Sequence, residues 1–242
     1  EAGTIKRYKG QRAISIKANI KPGAPTSTPA VVNAVKAHYG NVADRYPGAT
    51  VTFGGEYEDT QRSFESLAYA FIIAILVMYV ILATQFQSYL QPLIVLSAVV
   101  FALIGVVSGK LVTQSLFTVN SFIAVIGVAG VVVNDALVLI DFINRRYRSG
   151  MSRKDAIIEG VHIRLRPIVL TTLTTTLGLL PMALGIPSYS LVWGTMASTF
   201  VTGLATATAL TLFIVPVLWD LTQGLQERIK KRKGEETNGT AL

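Results

Sequence analysis

The sequence contains no cysteine, which excludes disulfides, thiolate-held metals and a cysteine nucleophile. Charge is scarce as well. Asp, Glu, Lys and Arg make up 15% of the 242 residues, against about 25% in soluble domains. No GxxxxGK[ST] loop, HExxH or GxSxG occurs, which removes a P-loop nucleotide hydrolase, a zincin and a hydrolase nucleophile elbow. An intramembrane aspartyl protease needs facing carboxylates on two apolar segments, and here a single apolar run supplies acids. The first residue is Glu1 and no secretory signal opens the chain, so the sequence reads as a piece, or a processed product, of a longer protein.

What is abundant is apolar surface: 51% of residues are hydrophobic and the mean hydropathy is +0.49. A membrane-crossing helix needs roughly 20 mostly apolar residues, because the hydrocarbon core is about 30 Å thick and each helical residue rises about 1.5 Å. Five segments qualify: 67–84, 92–112, 119–143, 167–186 and 191–219. The expected fold is therefore a mainly α-helical membrane protein with a five-helix bundle over 67–219, a loop at 144–166 and a basic tail at 220–242.

Basic residues orient the bundle. Arg145, Arg146, Arg148, Arg153, Lys154, Arg164 and Arg166 lie between the third and fourth segments, and Arg228, Lys230, Lys231, Arg232 and Lys233 follow the fifth. Positive segments stay in the cytoplasm, and the two stretches independently give the same parity. Residues 1–66 then lie outside. The net charge of +8 is thereby accounted for by topology rather than by nucleic acid, with membrane lipid as the expected contact of the basic segments.

Residues 1–66 have another texture. Ile14, Ile16, Ala18 and Ile20 alternate with Ser15, Lys17 and Asn19, which predicts a half-buried strand over 12–20. Thr28 and Pro29 then open a helix carrying Val31, Val32, Val35, Tyr39 and Val42 at helical spacing, and Ala49 to Phe53 read as a second strand. The expectation is a β-α-β piece belonging to a larger extramembrane domain.

Polar groups at membrane depth are costly and so are the first candidates for function. The third segment carries Asn134, Asp135 and Asp141. At about 100° per residue Asn134 and Asp141 share a face and Asp135 points to an adjoining one. Asp141 lies near the segment's end, where water or Arg145 satisfies it. Asp135 lies deeper, where a carboxylate must face the bundle interior, take up a proton or find a cation, while Asn134 fits a packing hydrogen bond equally well. The fourth segment opens Arg164-Leu165-Arg166-Pro167 and continues through Thr171, Thr172, Thr174, Thr175 and Thr176. Pro167 suits a helix start, Arg164 suits an inner-surface anchor, and the hydroxyls either bond back to the preceding turn or offer steps for a proton.

Small residues mark close helix contacts: Gly105 and Gly109 as GxxxG, Gly127 and Gly130 in the third segment, and Gly194, Ser198, Thr202 and Thr206 at every fourth position of the fifth. Ser152-Arg153-Lys154-Asp155 has capping-box form, which predicts a short amphipathic helix along the inner surface, with His162 in it.

Several stretches together resemble the resistance-nodulation-division (RND) efflux transporters, in the C-terminal half of the inner-membrane permease. They are Gly54-Gly55-Glu56, Leu82 to Ser88 followed by Pro92-Leu93, the run from Gly130 to Phe142, Arg164-Leu165-Arg166-Pro167 through Gly178-Leu179-Leu180-Pro181, and Phe213 to Leu218. The resemblance implies that the five segments are the last spans of such a permease and that 1–66 is part of a periplasmic porter subdomain. It also implies residence in the bacterial inner membrane and proton-driven export of amphipathic compounds. As partners it implies the upstream half of the pump, a homotrimer, a periplasmic adaptor and an outer-membrane channel; neither a cofactor nor a resident metal is implied. Arg164 and Thr171 match relay positions of the family. Asn134 stands where the family has Lys, and Asp135 where Asn or a small residue is usual. The proton-coupling candidates are thus Asp135, Asn134, Thr171 and Arg164. Two other readings compete, a protein-translocation motor of the same superfamily and a membrane-bound enzyme; the intact Arg-Leu-Arg-Pro and threonine-rich stretches favour the efflux permease over the motor.

Overall fold

Long apolar runs, each closed by a turn or a capping residue, fold into helices that carry nearly the whole architecture. The computed structural model describes residues 7–8, 10–19, 28–39, 46, 51–115 and 117–239, and divides into two compact units, Glu1–Arg62 and Ser63–Leu242.

In the first unit, β1 (Arg7–Tyr8) pairs antiparallel with β2 (Gln11–Arg12), and Gly10 takes the left-handed φ of +82° that this tight turn requires. Helix α1 (Thr28–Tyr39) forms where the Thr-Pro start places it; Val42, the last residue of the expected apolar spacing, lies outside the described residues. Lys36 Nζ sits 5.3 Å from the Phe53 ring centroid and 5.1 Å from that of Tyr57. The expected β-α-β arrangement is not found. Residues 13–19 and 51–53 carry no strand, and Ile14 and Ile16 are 94% and 91% exposed; Ile20 and residues 49–50 lie outside the described residues. Alternation expresses a preference for one buried face, but a strand exists only against a hydrogen-bonding neighbour, and none of the described residues pairs with these segments.

Five helices follow: α2 (Glu56–Phe86), α3 (Gln91–Thr113), α4 (Val119–Arg148), α5 (Arg153–Leu184) and α6 (Leu191–Gly239). Each is long and apolar enough to cross a membrane, α6 over Val192–Leu225. Thr118 caps α4 by accepting from Ser121 N at 3.2 Å. Ser152 caps α5, its hydroxyl oxygen accepting from Asp155 N at 3.3 Å while its O–H donates to Asp155 Oδ2 at 2.6 Å. Gly185, at φ +75°, closes α5.

The expected loop at 144–166 shrinks to residues 149–152. The Arg-rich stretch after Ile143 simply continues α4, since Arg is a good helix former. The amphipathic segment opened by Ser152 is likewise continuous with the fourth span. Pro167 sits inside α5 rather than at its start. A proline interrupts one backbone hydrogen bond, and in membrane helices neighbouring groups make this tolerable.

Helix α6 is the hub, packing on α3, α4 and α5. Its contact with α3 depends on glycine: a Cβ at Gly105 would stand 2.7 Å from Thr206 Cβ, and one at Gly109 would collide with the Thr202 side chain. Gly203 meets Val106 of α3 and Val128 of α4, and Gly127 meets the Phe200 ring. Two expected contact points differ: Gly130 faces open space, and Gly194 touches Tyr189 rather than another helix. Ser198 and Thr202 donate back to Thr195 O and Ser198 O, at 3.0 and 2.9 Å. Helix α2 is peripheral. It joins the core through Leu82 and Phe86, and through Phe64 and Phe71, whose rings lie 6.1 Å from those of Phe117 and Phe122 respectively.

Candidate functional site

Helix α4 turns opposite faces to protein and surroundings, and its two central polar residues part company there. Asp135 belongs to the buried stripe with Val128, Val132 and Leu139 and is 8% exposed; Asn134, one residue and about 100° away, is exposed. Asp135 Oδ2 is buried with no hydrogen-bond partner among the described residues. Asp141, on the Asn134 face, pairs with Arg145 one turn on at 2.8 Å.

Contacts on either side fix the level at which Asp135 lies. Helices α4 and α5 run antiparallel, with the Arg164 guanidinium 5.0 Å from the Phe142 ring centroid and Arg146 paired to Glu159 at 2.9 Å. Asp135 shares the face of Phe142 two turns back along α4, so the same register sets it level with Thr171 and Thr172. Helices α4 and α6 run parallel, with Val128 against Gly203 and Asn144 against Trp219. That register sets Asp135 level with the turn from Thr208 to Thr211.

At this level the hydroxyls divide. Thr171 is exposed and donates to Pro167 O of its own helix at 2.9 Å, and Thr174 and Thr176 also bond back. Thr172 is buried and bonds Thr208 of α6 at 2.8 Å, oxygen to oxygen, with either as donor. Thr211 is 2% exposed and its Oγ1 has no partner among the described residues. Arg164 Nε is likewise buried and unpartnered. No hydrogen bond or ion pair joins any two of Asp135, Asn134, Thr171 and Arg164 among the described residues. The hydroxyl that crosses between helices is Thr172, next to the expected Thr171.

A second polar cluster was not expected. Gln91 of α3 and Asn144 of α4 exchange two amide bonds, at 3.2 and 2.9 Å, and Trp219 of α6 donates to Asn144 Oδ1 at 2.8 Å. The only signal in the sequence is an amide at the end of each of two apolar runs and a tryptophan near the end of a third. Among the described residues no group of three or more His, Asp or Glu is placed to hold a metal ion.

The profile of the AcrB/AcrD/AcrF family matches residues 1–223. The swarming motility protein SwrC of Bacillus subtilis is 33% identical over 80% of this chain and 18% of its own length. The nickel-cobalt-cadmium resistance protein NccA of Alcaligenes xylosoxydans xylosoxydans is 32% identical over 96% of this chain and 21% of its own. Multidrug resistance protein MdtC of Proteus mirabilis is 28% identical over 78% and 19%. A crystal structure of a heavy metal efflux pump superposes with a TM-score of 0.65 at 28% identity, over 80% of this chain and 19% of that one. The chain thus spans about a fifth of the length of these proteins.

Proposed function

Because this chain belongs to the AcrB/AcrD/AcrF family of RND permeases, we propose that it supplies five membrane spans of a secondary active efflux permease that exports amphipathic compounds at the expense of the proton gradient. It is a transporter segment, not an enzyme. The observation that carries this reading is Asp135: a carboxylate that is 8% exposed in the middle of an apolar helix is expensive unless it is used. It is the group on this chain best suited to bind and release a proton. Arg164 and Thr171 share one face of α5, seven residues apart, with Asn134 on the open side of α4, and these three form the rest of the proposed coupling path.

The reading sets residues 1–66 in the periplasm and both basic segments in the cytoplasm, by the parity of the arginine-rich stretches. The rest of the permease, a homotrimeric arrangement, a periplasmic adaptor and an outer-membrane channel complete the proposed machine. Alternating access in such transporters requires both structural repeats, so these residues act as part of the complete permease.

A second reading, export of metal cations, is favoured by the names of NccA and of the superposed heavy metal efflux pump. One experiment separates the two. Cells lacking other efflux pumps and expressing the complete permease are loaded with an amphipathic dye, or with cobalt or cadmium, and followed with and without a protonophore. Protonophore-sensitive dye export supports the first reading. Export of the cations alone moves the function to the second, and export insensitive to the protonophore contradicts proton coupling.

A further inference from the structure

Three helices bring hydroxyls or a carboxylate to one level of the bundle, and the hydroxyls involved lie outside the coupling residues named above. Asp135 of α4 presents a buried Oδ2 without a partner, Thr211 of α6 presents a buried Oγ1 without a partner, and Thr172 and Thr208 bond each other across α5 and α6. Both helix registers place these four residues at the same depth. The charged groups of the surrounding helices lie elsewhere. Arg164 is over Phe142 two turns along, Arg166, about one turn along, is exposed, Asp141 is paired with Arg145, Asp220 lies 3.7 Å from Arg153, and Lys110 stands near the far end of α3. Hydroxyls, rather than cations, are therefore the polar groups that the helix registers set at the level of the carboxylate.

We propose that Thr172, Thr208 and Thr211 are positioning residues for Asp135, hydroxyls that turn toward its carboxylate when it is ionised and toward one another when it is protonated. An ionised carboxylate only accepts, whereas a protonated one also donates, and a threonine hydroxyl rotates to serve either state. With Asp135 ionised, Thr211 and one member of the Thr172–Thr208 pair donate to it and the bond between α5 and α6 opens. With Asp135 protonated, its O–H donates to a hydroxyl oxygen and the bond between the helices closes. The proton on α4 is thereby registered in the packing of α5 on α6. This inference rests on the reading of Asp135 as the coupling carboxylate.

The test uses the complete permease and the Thr211→Val variant. The Thr211 hydroxyl makes no bond among the described residues and valine has nearly its shape, so the variant accumulates normally. Its efflux is expected to fall about ten-fold, the order of one lost hydrogen bond to a charged group, and its dependence on external pH to shift. Thr211→Ser, which keeps the hydroxyl, restores both. Thr208→Val and Thr172→Val are expected to behave as Thr211→Val does. An unshifted pH profile and wild-type rate for Thr211→Val, or failure of Thr211→Ser to restore them, overturns the inference. Asp135→Asn, measured beside them, separates the two levels. If it is inactive while Thr211→Val is normal, only the hydroxyl inference falls; if it pumps normally, the reading beneath falls with it.

Discussion

Trp219 donates its indole N–H to Asn144 Oδ1 at 2.8 Å, and the same oxygen accepts from Gln91 Nε2 at 3.2 Å. One amide thus ties α3, α4 and α6 together at a single point. Trp219 is fully buried, and the Tyr147 ring packs edge-on against it with centroids 5.6 Å apart. The second Asn144–Gln91 bond, at 2.9 Å, leaves the side-chain amides mutually satisfied. Buried polar groups stabilise only when satisfied together in this way.

Removing the central amide therefore strands two donors, Trp219 Nε1 and Gln91 Nε2, and one acceptor, Gln91 Oε1. Asn144→Ala is expected to destabilise the bundle by about 2 kcal/mol or more, since each unsatisfied buried polar group costs about 1–3 kcal/mol. Trp219→Phe, which keeps an aromatic ring and loses the N–H, is expected to be milder. Thermal unfolding of the purified protein in detergent gives the order; equal midpoints for Asn144→Ala and wild type would contradict it.

The α3–α6 crossing makes a sharper steric prediction. A side chain at Gly109 enters the space of Thr202, whereas Gly130 faces open space. Gly109→Leu is expected to cost at least the roughly 1–3 kcal/mol of overpacking and to lower the folded yield. Gly130→Ala is expected to be neutral or slightly stabilising, alanine being the better helix former. Membrane abundance and detergent melting of both variants check this.

The proposed orientation is open to chemical labelling, helped by the absence of native cysteine. Single substitutions Asn41→Cys, Lys154→Cys and Thr237→Cys are probed in intact cells with an impermeant thiol reagent. Only Asn41→Cys is expected to label. Labelling of Lys154→Cys from outside would invert the topology.

The five spans were legible because membrane depth imposes a length and a composition that few other structures imitate. Helix continuity was harder. Pro167 signals a start in water, yet α5 passes through it, because a membrane helix can lose one backbone bond at little cost when neighbours compensate. The strands were misread for the opposite reason. The alternation of Ile14 and Ile16 states a preference, while pairing depends on a neighbour that local sequence does not specify. In the candidate site, the cost of a charge at membrane depth pointed Asp135 to the bundle interior, where it is buried, but nothing local set the neighbouring Asn134 on the exposed side, since that depends on where α5 and α6 pack. The same limit hid Thr172 behind Thr171: adjacent threonines differ by about 100°, and only the side on which α6 packs against α5 chooses between them. The cluster of Gln91, Asn144 and Trp219 joins residues far apart in the chain and had no local signature.

The central claim is that Asp135 carries the coupling proton while Asp141, paired with Arg145, does not. Its most direct test is efflux by Asp135→Asn and Asp141→Asn in the complete permease, with membrane abundance measured beside each. Asparagine keeps the size and polarity of aspartate and removes its capacity to hold a proton at neutral pH. The account predicts normal abundance for both, abolished gradient-driven efflux for Asp135→Asn and a mild loss for Asp141→Asn. Wild-type efflux by Asp135→Asn at normal abundance would reduce Asp135 to a packing residue and contradict the account.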